Sequence, residues 1–102
     1  VIKADSAENA NSQKAQRKAR AASRAQLAPL TRALKKAEQA LEQAQDALDS
    51  LDTNLADPNY FSQTDPAQQA NDAKTRAQLV EQLEEREMEW MEAAEALEAA
   101  QG

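Results

Sequence analysis

The chain contains no cysteine and no histidine. The first absence removes disulfides and thiolate metal sites. The second removes the commonest general base and the commonest metal ligand. Its single glycine is the last residue, Gly102, so neither a G-x-x-x-x-G-K-[ST] loop nor a G-x-G-x-x-G turn is available to cradle a phosphate. Three aromatics in 102 residues are too few to fill a thick core, so stability has to come from a narrow seam repeated along its length. No apolar run nears the roughly 20 residues that span a bilayer. Val1 to Asp5 also lack the apolar stretch of a signal peptide. The expectation is a cytoplasmic chain with no membrane partner, and the start without methionine leads us to expect a domain excised from something longer.

What is present is the composition of long helices: Ala, Leu, Glu, Gln, Lys and Arg dominate. Leu27, Leu34, Leu41, Leu48 and Leu55 fall seven apart, and Leu30, Ala37, Ala44 and Leu51 follow the first four by three residues. That is an a/d heptad seam, the pattern of a helix packed along another helix. Ala33, Ala40 and Ala47 at the g positions leave one flank of the leucine row open to close approach. The fold predicted is all-α: an antiparallel two-helix coiled-coil hairpin with a basic N-terminal helical extension.

Its expected divisions follow from local signals. Residues 1–11 have little apolar content and no period, and read as a disordered lead-in. A basic helical arm follows over 12–28, with Asn11 or Ser12 as its cap. Continuing the heptad backwards puts Arg20 at a and Ser23 at d, so the seam stops at Leu27. Pro29 removes one N–H and is expected to kink the helix rather than end it. The hairpin occupies 29–102, as a helix over 29–56, a loop over 57–65 and a helix over 66–100. Pro58 and Pro66 disfavour helix at the residues before them. Asp65, Pro66 and Gln68 form a capping-box start. In the second helix Ala70, Ala73, Ala77, Val80, Leu83, Trp90, Ala94 and Leu97 are the apolar positions. Their spacing implies a phase slip near Val80 that brings Glu87 onto the seam. Trp90 is expected to anchor the core near Leu30, Leu34 or Ala37. Of Tyr60 and Phe61 in the loop, one is expected to fold over Leu51 and Leu55 and the other to stand exposed as a tip contact.

Charge is divided sharply along the chain. Residues 1–36 carry nine Lys/Arg against two acids, and residues 37–102 carry three against sixteen. Such a division suits a basic end that meets something anionic and an acidic body that stays soluble. The alternative is that the basic arm pairs with the acidic body. Glu84, Glu85, Glu87, Glu89, Glu92, Glu95 and Glu98 are expected on an exposed helix surface, where nothing shifts their pKa towards acid/base work. No catalytic, metal or cofactor site is expected, and the chain alone is not read as an enzyme. The candidate binding residues are Lys14, Arg17, Lys18, Arg20 and Arg24 on the arm, continued by Arg32, Lys35 and Lys36. A rod bearing eight cations neutralises several phosphates without reading bases. No aromatics interleave with them, so duplex or structured nucleic acid fits better than an unpaired strand.

Certain stretches resemble a known family. The basic lead-in from Asn9 to Lys18, the Pro29-Leu30 entry, the Ala56-Asp57-Pro58-Asn59-Tyr60-Phe61 loop and the Glu87-Met88-Glu89-Trp90-Met91-Glu92 segment are similar to the C-terminal coiled-coil domain of bacterial ABC-F ATPases, of YheS- or Uup-like type. The resemblance implies two ATP-binding cassettes upstream, with ATP and magnesium bound there and none in this chain. It also implies ribosomal RNA, the ribosome or DNA as partners, and a role in translation. The basic residues from Lys14 to Lys36 become the implied contacts. A structural or regulatory coiled coil, docking on the ATPase cassettes of its own chain or on another protein, is the alternative. The acidic body departs from that picture, because it repels phosphate and confines contact to the basic end and the loop.

Overall fold

In the computed structural model of the chain, the backbone is described for residues 2–102 and the side chains for residues 10–102. Three helices follow one another: α1 from Ile2 to Leu55, α2 from Tyr60 to Gln63 and α3 from Pro66 to Gln101. Together α1 and α3 form an antiparallel hairpin, and the molecule measures 90 × 19 × 15 Å.

α1 is 54 residues long and continuous through Pro29. Proline inside a helix costs about 3 kcal/mol, and the carbonyl it leaves unbonded belongs to Ala25, whose exposed position lets water satisfy it. The Thr31 hydroxyl donates to the Leu27 carbonyl at 3.1 Å in the same turn. Residues Ile2 to Asn11 are helical, where sequence leads one to expect a disordered lead-in, and Val1 lies outside the described residues. Lys3, Ala4, Ala7, Glu8 and Ala10 are good helix formers, and lengthening an existing helix needs no new nucleus.

The turn is built from aspartates. Pro58 stops α1 by disfavouring helix at Asp57. The Asp57 carboxylate accepts from the Asn59 N–H at 2.9 Å, and its carbonyl accepts from the Tyr60 N–H at 3.0 Å. These bonds start α2, a four-residue helix inside what reads in sequence as loop. Asp65 then caps α3, its side chain accepting from the Gln68 N–H at 2.7 Å, with Pro66 in the first turn. Only half of the expected capping box forms. The Gln68 amide donates forward to Asp72 at 2.8 Å instead of returning to the cap.

Register is set by two cross-helix bonds. Arg76 holds Asp52 through both carboxylate oxygens, at 2.7 and 3.3 Å. Trp90 Nε1 donates to Glu38 Oε1 at 3.4 Å. Asp52 and Glu38 lie two heptads apart on α1, and Arg76 and Trp90 lie two heptads apart on α3, so no residue is lost between them. The phase slip expected near Val80 is therefore absent. Half-buried on α3 are Gln69, Asp72, Thr75, Leu79, Leu83, Arg86, Trp90, Ala93 and Leu97, with the expected Val80 and Ala94, whereas Ala70, Ala73, Ala77 and Glu87 are exposed. Sequence merged two stripes: the true seam, and a row of small residues on the outer flank. Arg86 hid the seam by standing where a hydrophobic residue was expected.

Small residues on α1 make that arginine tolerable. Ala37, Ala40 and Ala44 line open grooves on either side of it. Its terminal nitrogens reach Glu85 at 3.1 Å and Glu89 at 3.4 Å, but its Nε is buried without a partner. Among the described residues only Leu48 is buried, at 8% exposure. Leu27, Leu30, Leu34, Leu41, Leu51 and Leu55 are half-buried, because a single opposing helix covers only one side of each knob. The Asp52–Arg76 pair is exposed on both sides. Its hydrogen bond with Arg76 holds the Asp52 carboxyl below the usual carboxylate value. As an exposed pair it fixes register more than it stabilises.

These contacts rank two substitutions. Leu48→Ala is expected to cost about 2–3 kcal/mol, a large share of what a hairpin this small possesses. Arg86→Leu, which completes the seam and removes the orphaned Nε, is expected to gain about 1 kcal/mol. Urea unfolding followed by circular dichroism measures both. A stability loss for Arg86→Leu contradicts the seam assignment.

Candidate nucleic-acid interface

All eight candidate cations, Lys14, Arg17, Lys18, Arg20, Arg24, Arg32, Lys35 and Lys36, are exposed on α1. At 3.6 residues per turn, Lys14, Lys18, Arg32 and Lys36 project from the side facing away from Leu27, Leu30 and Leu34, while Arg17, Arg24 and Lys35 stand on the flank. Packing and charge are thereby separated: one side of α1 meets α3 and the other carries the cations. Arg20 lies in line with the leucine row, beyond the point where any helix covers it. From Lys14 to Lys36 the charged stretch is roughly 33 Å long, close to one turn of a nucleic-acid duplex, about 34 Å. Helical continuity through Pro29 places the arm cations and Arg32, Lys35 and Lys36 on one rod.

The register bears on the two readings of the charge division. With Trp90 beside Glu38, Gly102 stands level with Gln26. Lys14 lies about 18 Å further along the helix axis than that end. Arg24, by contrast, stands only about 3 Å past the level of Gly102. Among the described residues the ion pairs are Asp52–Arg76, Glu85–Arg86 and Glu89–Arg86, and none uses an arm cation. Beyond Lys36 the outer surface of α1 changes sign, at Glu42, Asp46 and Asp49.

At the opposite end, Tyr60 is the aromatic that folds back. Its hydroxyl donates to Asp72 Oδ2 at 2.6 Å, and its ring meets Phe61 edge-on with centroids 5.1 Å apart. Phe61 remains 71% exposed. Together with Leu55, Ala73 and Ala77 the two rings line a mostly apolar recess. The tip and the arm stand at opposite ends of the rod, so the structure does not bring the two groups of candidate residues together. No basic residue other than Arg76 lines the tip recess, and Arg76 is held by Asp52. Among the described residues no cluster of acids is arranged to hold a metal ion, and no helix is long and apolar enough to cross a membrane.

Tyr60 offers a direct check on the tip. The hydrogen bond to Asp72, with burial and the Asp72 charge adding to it, pushes its pKa up from 10.0 to about 12. A raised phenol pKa means that the unfolded state loses its proton first. This contribution to stability is present below pH 10 and is lost as pH rises towards 12. Tyr60 is the only tyrosine, so phenolate absorbance reports it alone. Its midpoint is expected near 12, and Asp72→Asn is expected to lower it towards 10. A midpoint at 10 in the unaltered chain contradicts the tip geometry.

Comparison with known proteins finds no matching family model, no matching curated protein and no matching solved structure.

Proposed function

We propose that this chain is an accessory nucleic-acid-binding module, gripping ribosomal RNA or DNA through largely sequence-independent phosphate contacts, within an ABC-F ATPase that acts in translation. The observation that carries the binding reading is the row of exposed cations along a helical arm, none of them in an ion pair among the described residues. Lysine and arginine at helical spacing along such a rod release counterions from a phosphate backbone, so affinity falls steeply with salt. The acidic remainder favours a partner held at the arm and keeps it off the hairpin body. The ABC-F context rests on the resembling loop and tryptophan segments alone.

A salt titration of binding to structured RNA and to duplex DNA tests the reading. With six to eight phosphate contacts, affinity is expected to drop roughly a thousandfold or more between about 50 and 200 mM salt. Replacing Lys14, Arg17, Arg20 and Arg24 by Glu is expected to abolish binding while leaving helicity intact. Absence of binding at low salt, or binding indifferent to those four substitutions, overturns it. The competing reading, a coiled coil that docks on its own ATPase cassettes, predicts a change in ATPase rate on deleting the domain with no nucleic acid present.

A further inference from the structure

At the turn end of the rod, Leu55, Tyr60, Phe61, Ala73 and Ala77 line a recess of about 320 Å³. Phe61 forms one wall and is 71% exposed, the most exposed large hydrophobic residue among those described. An aromatic ring left in water beside an apolar hollow differs from the leucines of the seam, which α3 partly covers. The polar groups around the hollow are already matched. The Tyr60 hydroxyl donates to Asp72, and Arg76 holds Asp52. Gln69 Nε2 donates to the carbonyls of Phe61 and Thr64, at 3.2 and 2.8 Å. A polar group seated there gives up its bonds to water and finds none in return. The recess fits an apolar side chain.

Charge around the hollow is mostly of one sign. From Ala37 to Ala73 the chain holds eight acids and neither lysine nor arginine. Asp57 and Asp65 flank α2 in the turn, Asp72 accepts from Tyr60, and Asp49 and Asp52 belong to the last turns of α1. The cations nearest in sequence are Lys74 and Arg76, and Asp52 neutralises Arg76. Asp49, Asp57, Asp65 and Asp72 thus outnumber Lys74. Such a potential repels phosphate and attracts lysine and arginine. Long basic side chains suit this place, because their aliphatic stems lie on apolar surface while their charged ends reach its margin.

We propose that the turn end of the hairpin docks a basic segment of another protein, one apolar side chain seated among Phe61, Ala73 and Ala77 and flanking lysines or arginines set against the aspartates. The inference does not depend on the arm, whose last cation, Lys36, lies roughly 28 Å from Leu55 along α1. A polyanion at one end and a basic protein at the other occupy the rod together without competing.

NMR of the full chain tests it, with a short peptide carrying one leucine between lysines as the probe. At about 10 mM salt, where charges act over roughly 30 Å, the amide signals of Phe61, Ala73 and Ala77 are expected to shift as peptide is added. Binding is expected to weaken about tenfold when the leucine becomes serine, or when the lysines become glutamates. Phe61→Ser and Ala73→Glu alter the recess from two different walls, and each is expected to weaken binding by about tenfold. In Phe61→Ser, a Tyr60 phenolate midpoint that stays well above 10.0 shows the bond to Asp72 intact. Asp57→Asn with Asp65→Asn removes two charges while the side-chain oxygens still accept from Asn59 and Gln68. That pair is expected to cost about fivefold at low salt and nothing at about 1 M. No shift at these amides with the lysine–leucine peptide overturns the proposal, as does equal binding of the glutamate peptide. Shifts produced there by structured RNA, or by raising the concentration of the chain alone, also overturn it, in favour of phosphate or of a second copy.

Discussion

A two-helix hairpin has one interface, and each residue of that interface is covered from one direction only. That constraint governs the rest of the structure. Leu48, midway along, is the described residue that becomes buried, while the leucines on either side of it remain partly in water. Hydrophobic burial per residue is accordingly modest, and length substitutes for depth. Register must then be held along the whole seam, because a slip anywhere uncovers the knobs beyond it. The Arg76–Asp52 and Trp90–Glu38 contacts, two heptads apart on both helices, are polar contacts at the margin of the seam that fit one alignment. The Asp57 turn and the Tyr60–Asp72 bond close the end where fraying would otherwise begin.

The part of α1 from Leu27 onward was legible because its leucines recur every seven residues to Leu55, whereas its first turns, up to Asn11, were not. The seam of α3 was not legible either, for a physical reason. Arg86 occupies a seam position where the facing residues are Ala37, Ala40 and Ala44. A large side chain opposite small ones fills the space, so the pattern need not be apolar on both helices. Meanwhile Ala70, Ala73 and Ala77 repeat at helical spacing on the exposed flank. Alanine favours helix wherever it stands, so an alanine row does not distinguish a packed face from a free one. α2 escaped detection for another reason. Its four residues are held by the Asp57 turn and by a bond from Tyr60 to α3, and neither is a local propensity.

For the candidate interface, the cations themselves were evident from their steps of three and four residues. Their isolation was not. Whether Lys14 or Arg24 lies near an acid depends on where α3 ends relative to α1, and that follows only from the tertiary register placing Gly102 level with Gln26. The charge division in sequence allowed two outcomes, an arm neutralised by its own body or an arm left free. Among the described residues no arm cation forms an ion pair, and α1 runs as a continuous helix through Pro29.

The same geometry explains why the two charge blocks coexist in one small chain. Opposite charges placed end to end along a stiff rod do not collapse on one another, as they would in a flexible chain of equal composition. Instead they stay available to other molecules at a separation set by the 1.5 Å rise of the helix. A polyanion meets favourable potential over the arm and repulsion from Glu38 onward, so it is positioned lengthwise by the point at which the sign changes. The leucine seam makes this possible by holding α3 on the side of α1 that Leu27, Leu30 and Leu34 occupy, which leaves Lys14, Lys18, Arg32 and Lys36 on the opposite side.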